Sequence, residues 1–240
     1  MEKINYFYID ETGSISNNAS FFMHGCIQTD SPNVISDSIK KLRQNITESL
    51  YFEDLRESLL KKGFHATANS MDLRAEFYKM LPLLNYRAYF AVTRKDSLFF
   101  KKAMKDGDES DFFEISLKKL LHDRIISNKE AKNIFFFETI QLSKRSLKTV
   151  LESFFKDYQA YDIEYKIVGK EEENLAVVDY LNFIFDHIFT PDKMYPTMEG
   201  NFKRVSAKIG IVKMLHNNVY LSRNKPSNLQ ITSKNLIDNY

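Results

Sequence analysis

Four apolar residues in a row, Ile134, Phe135, Phe136 and Phe137, closed by the acid Glu138, constrain this chain more than any other feature. A short run without alternation suits a central strand buried on both faces, and such a strand needs helices above and below it. The surrounding sequence supplies them. Residues 143–160 carry a helical pattern, 162–169 read as a strand, and 172–189 as a further helix. A β-α-β unit of this kind demands a parallel crossover.

Earlier in the chain the pattern differs. Residues 3–10 and 20–28 read as strands around a Gly-, Ser- and Asn-rich turn at 12–19, which makes an antiparallel hairpin. Ser31 followed by Pro32 starts a helix that runs to about residue 50. Helical patterns follow at 52–62 and 70–84, then a third strand at 86–94, then helices at 96–104 and 111–127. Beyond Pro191 the expectation is a loop, a basic helix near 205–217 and a polar tail. The simplest assembly is one α/β domain over residues 1–240. Its mixed five-stranded sheet has the first three strands antiparallel and the fourth and fifth parallel. Helices lie on both faces, with helical insertions, and 191–240 form a basic C-terminal helical extension.

Bulk properties narrow the function. At 240 residues, 43% hydrophobic and 28% charged, the chain has an ordinary globular composition. Its longest apolar run, 88–92, is far short of the roughly 20 residues that span a bilayer, so no membrane partner is expected. No secretory leader is expected, and the lone Cys26 fits a reducing, cytoplasmic setting. Phosphate-loop, dinucleotide-binding and serine-elbow motifs are missing, and one Cys with five dispersed His gives no zinc spacing.

What remains is carboxylate chemistry. Asp10 and Glu11 sit where an apolar strand gives way to a turn, and Glu138 closes the Phe run. In the helix at 172–189, apolar nearly all round, Asp179, Asn182 and Asp186 form a narrow polar stripe. Each has an ordinary alternative: turn former for Asp10, solvated face for the stripe. His65 lies in a loop, His24 is expected to be structural, and His122 and His216 to sit on helix surfaces. From Lys193 to Lys225 seven Lys or Arg stand against the single acid Glu199, while 106–114 hold five carboxylates. The basic segment is either a track for a phosphate backbone or a solvated helix face.

The segment Tyr8-Ile9-Asp10-Glu11-Thr12-Gly13 resembles the Tyr-Ile-Asp-Glu-Ser-Gly signature of the bacterial domain-of-unknown-function family numbered 3800. Phe64-His65-Ala66, the strand ending in Glu138, and Leu175 to Asp179 are similar to its later motifs in the same order. The resemblance implies a ribonuclease H-like fold and a metal-dependent nuclease of DNA or RNA. Asp10, Glu138 and Asp179 would be metal ligands, Glu11 an additional one, and His65 a proton donor or phosphate contact. Two Mg²⁺ or Mn²⁺ ions would activate water and offset charge on the leaving oxygen. Lys203, Arg204, Lys208 and Lys213 would contact the nucleic-acid backbone. The family setting implies bacterial defence or mobile elements, with an operon-encoded protein partner. Two departures, Ala176 where the family has Gln and Glu138 where Asp is usual, favour the alternative of a catalytically silent nucleic-acid-binding or partner-binding module.

Overall fold

The computed structural model describes residues 3–16, 19–190 and 196–240. The strands β1 (Ile4–Thr12), β2 (Phe21–Thr29) and β3 (Arg87–Arg94) run antiparallel in succession. On the other side of β1 lie β4 (Lys132–Glu138) and β5 (Ile163–Val168), both parallel to it. Beyond β3 the sheet continues with β6 (Ile209–Met214), parallel to β3, and β7 (Val219–Ser222), antiparallel to β6. The order is β5-β4-β1-β2-β3-β6-β7, a mixed α/β sheet of seven strands where five were expected.

Of the two added strands, β6 comes from the segment expected as a basic helix near 205–217, and β7 from the expected polar tail. The helix α8 (Pro196–Val205) ends where that helix was to begin, and Ile209, Val212 and Met214 enter the core as strand residues. The β-branched Ile209, Ile211 and Val212, followed by a turn with Asn218 at φ 58°, carry the strand and its reversal. Residues 196–240 therefore supply two strands of the sheet between α8 and the last helix, and are not a purely helical extension. The start of the expected loop, with Pro191 and Lys193, lies outside the described residues, as does part of the first turn at 17–18.

Two apolar layers flank the sheet. One face carries Tyr8, Ile27, Phe90 and Val212, covered by α1 (Pro32–Glu48), α3 (Met71–Met80), α7 (Leu175–Phe189) and α8. The other carries Phe7, Ile9, Cys26, Phe135 and Phe137, covered by α4 (Leu98–Asp106), α5 (Glu109–Ser127) and α6 (Leu147–Lys156). The short α2 (Arg56–Lys62) leads into the loop before α3, and α9 (Ser233–Asn239) packs on α7. Phe135 and Phe137 are buried, as a central strand requires, but Ile134 and Phe136 are only half-buried. Their side of β4 lies toward the β5 edge, where Phe136 stacks on Tyr8 and lies under Lys166.

The helix starts follow local chemistry. Pro32 opens α1, and Ser70 caps α3 through the Leu73 N–H. Much of the acidic cluster at 106–114 is a capping box on α5. Asp108 accepts from the Ser110 and Asp111 amides, and Asp111 accepts in return from the Asp108 N–H. Arg145 pairs with Asp111 and Glu114. Among the described residues no helix is long and apolar enough to cross a membrane.

Candidate active site

Parallel neighbours end on the same side of a sheet, so β1 and β4 deliver their last acids to one edge. Asp10 and Glu11 from β1 and Glu138 from β4 line an open cavity of about 400 Å³, together with Asp179 of α7 and His65 of the α2–α3 loop. Glu109, at the start of α5, lines the same cavity and was not anticipated. Asp10 and Glu11 leave opposite faces of β1, yet both reach the cavity because it sits at the strand's end.

Asp10 is buried, and three positions fix it. Its Oδ1 accepts the Glu11 N–H at 2.7 Å, and its Oδ2 accepts from Asn182 Nδ2 at 3.1 Å. Asn182 lies one helical turn beyond Asp179 on α7 and fits only because Gly25, the β2 residue opposite Asp10, has no side chain. A Cβ at Gly25 would stand 2.1 Å from Asn182 Oδ1. The polar stripe of α7 thus faces the sheet at Asp179 and Asn182, which overturns the solvated-face alternative there.

Asp179 is held by the loop that carries His65. Its Oδ2 accepts from His65 Nδ1 at 2.8 Å and from the Ala66 N–H at 2.7 Å. The other ring nitrogen of His65, Nε2, meets Lys170 Nζ at 2.9 Å. An ammonium only donates, so Nε2 accepts and Nδ1 carries the proton toward Asp179. The loop itself is tied to α7 through Asn69, whose Oδ1 accepts from the His65 N–H at 2.8 Å and from Tyr180 Oη at 2.6 Å.

These groups repel one another. Burial lifts the Asp10 carboxyl well above the usual carboxylate range, and Glu11, Asp179 and Glu138 push it the same way. Burial and Glu138 raise Glu11 to about 8. Among the described residues no Lys or Arg lines the cavity. The hydrogen bond that His65 donates to Asp179 raises His65. Such a set of oxygen donors with unbalanced charge suits a hard divalent cation. The carboxyls surround the cavity and do not form a closed chelate: among the described residues no three acid, His or Cys groups stand close enough to share one ion.

The other histidines are structural. His24 is buried between Phe22 and Phe113, bonded through Nδ1 to Ser116, and burial lowers it to about 3. His122 is on the surface of α5 with Tyr158 as partner. His216, expected on a helix, lies in the β6–β7 turn against Tyr240.

The four basic residues assigned to nucleic acid do not share one surface role. Lys213 is buried on β6 and bonded to Asp123 and the Lys119 carbonyl. Lys208 donates to the Leu84 carbonyl, and Lys203 pairs with Glu199. Arg204 lines a groove between α3 and α8.

Several site residues were invisible in the sequence. Gly25, Asn69 and Lys170 act through partners from 105 to 157 positions away. Asn182 was signalled only as a member of the stripe. Comparison with models of known protein families finds no match, and comparison with curated proteins finds none either.

Proposed function

We propose that this chain is a divalent-metal-dependent nuclease of ribonuclease H-like type, acting on DNA or RNA. One observation carries the reading: two parallel strand ends and one helix direct Asp10, Glu138 and Asp179 into a single open cavity that, among the described residues, no Lys or Arg lines. The pairing of β1 with β2 and of β2 with β3 antiparallel, and of β4 and β5 parallel beside β1, supports the fold assignment, with β6 and β7 as additions. The similarity to family 3800 at Asp10, Glu11, His65, Glu138 and Asp179 supports the same reading.

Asp10, Glu138 and Asp179 would hold Mg²⁺ or Mn²⁺, with Glu11 completing the set. Asp179 spends one oxygen on His65 and Ala66 and keeps the other for a ligand. The bound ions supply water activation and leaving-group stabilisation. The protein's own groups position the rest. His65 orients Asp179 and holds its proton at Nδ1, while the exposed Lys170 beside it offers a charge to a phosphate. Asn182 orients Asp10.

The test is cleavage of DNA and RNA panels with Mn²⁺, for wild type and Asp10→Asn. Activity lost in a folded variant supports the reading, and full activity in it removes Asp10 from the mechanism. The silent-module alternative draws on the open spacing of the donors. Titration with Mn²⁺ separates the two, since a module without a metal site shows no carboxylate-dependent binding.

A further inference from the structure

Away from the carboxylate cavity, three arginines converge, none of them in an ion pair with a carboxylate among the described residues. Arg87 and Tyr89 come from β3, Arg124 from α5, Gly210 from β6, and Arg223 follows β7. Together with Ser222 they line a depression of about 360 Å³ that has no acid in its wall and shares no residue with the cavity of Asp10. Among the described residues Arg87, Arg124 and Arg223 make no ion pair and no side-chain hydrogen bond. Arg43, Arg94 and Arg145, by contrast, each pair with a carboxylate. The nearest acid in sequence, Asp123, is engaged by Lys213.

The depression is shaped by the fold. Arg124 lies 4.4 Å over the Tyr89 ring, which fixes its guanidinium against the sheet. The β3–β6 register shifts at Ala88/Tyr89, and Gly210 occupies that irregularity. A Cβ at Gly210 would come within 2.8 Å of Tyr89 Cε1 and 3.2 Å of Arg87 Cδ. Two residues before Ser222, on the same face of β7, Tyr220 stands 38% exposed. Guanidinium forks match phosphate oxygens, and the exposed Tyr220 ring, outside the basin and next to Lys213, offers a base of the same strand a stacking surface.

We propose that this basin seats the phosphodiester backbone of single-stranded nucleic acid. The assignment rests on its own residues and holds whether or not Asp10 takes part in cleavage.

The experiment is fluorescence-anisotropy binding of labelled oligo-dT and oligo-U of about 20 nucleotides in EDTA, across a salt series. Arg87 and Arg223 are exposed, so Arg87→Gln/Arg223→Gln is expected to fold, checked by circular dichroism. Losing two phosphate contacts should lower the slope of log K against log salt by about 1.4. Tyr220→Ala should weaken binding while leaving the slope unchanged. Lys203→Gln/Arg204→Gln serves as a basic control and should keep the slope. A wild type that binds neither oligonucleotide overturns the proposal, as does a double variant with the wild-type slope. Displacement of the oligonucleotide by pyrophosphate at equal concentration would mark a small-anion site and overturn it too. A wild type that binds in EDTA yet cleaves neither DNA nor RNA with Mn²⁺ fails the nuclease reading and leaves the basin standing.

Discussion

At the scale of single residues, the candidate site depends on a missing side chain. Gly25 lets Asn182 reach Asp10, and Asn182 spends its amide nitrogen there while its Oδ1 stays buried without a partner. Gly25→Ala should therefore push Asn182 off Asp10 and cost about 1–3 kcal/mol through overpacking. Adding Asn182→Ala should recover part of that loss, because most of the clash is with Asn182. A double-mutant cycle in thermal unfolding reads the coupling, and strict additivity would contradict it. The acids make a second prediction. Asp10 and Glu11 bind protons more tightly folded than unfolded, so the stability protonated Glu11 contributes is full below about pH 4.5 and is lost as pH rises through about 8, and Asp10 acts in the same direction. Melting temperature in EDTA should fall across that window, more shallowly in Glu11→Gln, and Mn²⁺ should oppose the fall. A pH-independent melting temperature would dismiss the repulsion. The acids and His65 were legible because charged groups at the ends of apolar runs stand out. Gly25 was not, since its need for a bare Cα exists only once α7 has crossed β2.

At the scale of elements, the loop between α2 and α3 is folded onto α7 by polar bonds. Gly63 leaves α2 at φ 66°, in the left-handed region that favours glycine, and the chain then passes His65 and Ala66 across Asp179. Asn69 locks the other side to Tyr180. Asp179→Ala should strip two donors of their acceptor at once and cost about 1–3 kcal/mol. The loss should be local: amide exchange at residues 63–69 should quicken while the amides of β1 and β2 keep their protection. Uniform acceleration across the sheet would instead make Asp179 a general stability residue. Most elements were legible because each carries its own period and its own stop, as Ser70, Pro32 and the Asp108–Asp111 box show. The segment after α8 was misread. Its charges at Lys208 and Lys213 resemble a basic helix face, and they masked the short β-branched run that Asn217 and Asn218 turn back on itself. β4 was read as buried on both faces because Ile134 and Phe136 are as apolar as their neighbours. The structure separates the two faces: Phe135 and Phe137 pack under α6, whereas Ile134 and Phe136, on the opposite face of the same strand, stay half-buried.

At the scale of the whole molecule, the last 35 residues decide whether the sheet is finished. Were residues 206–240 a dispensable basic extension, removing them would leave the core intact and change only surface charge. The structure makes the opposite prediction. β6 pairs along β3, and Ile209, Val212, Met214, Leu221 and Leu236 are fully buried in the same layer as Phe90, Phe185 and Ile188 of α7 and the sheet. Each such side chain contributes about 1.5–3 kcal/mol when withdrawn from water. Their joint removal is comparable with the roughly 5–15 kcal/mol that holds a typical domain folded. Truncation would also expose the backbone of β3 as a long apolar edge, whereas the natural edges are guarded. β7 has four residues, and β5 carries Glu164 and Lys166, with Glu164 paired to Lys132. A chain ending at Val205 should therefore be poorly soluble or lack a cooperative thermal transition, although Asp10, Glu138 and Asp179 are all retained. The measurement is solubility with far-UV circular dichroism on heating. A soluble, cooperatively melting 205-residue chain would show that β6 and β7 are appended to a sheet complete without them.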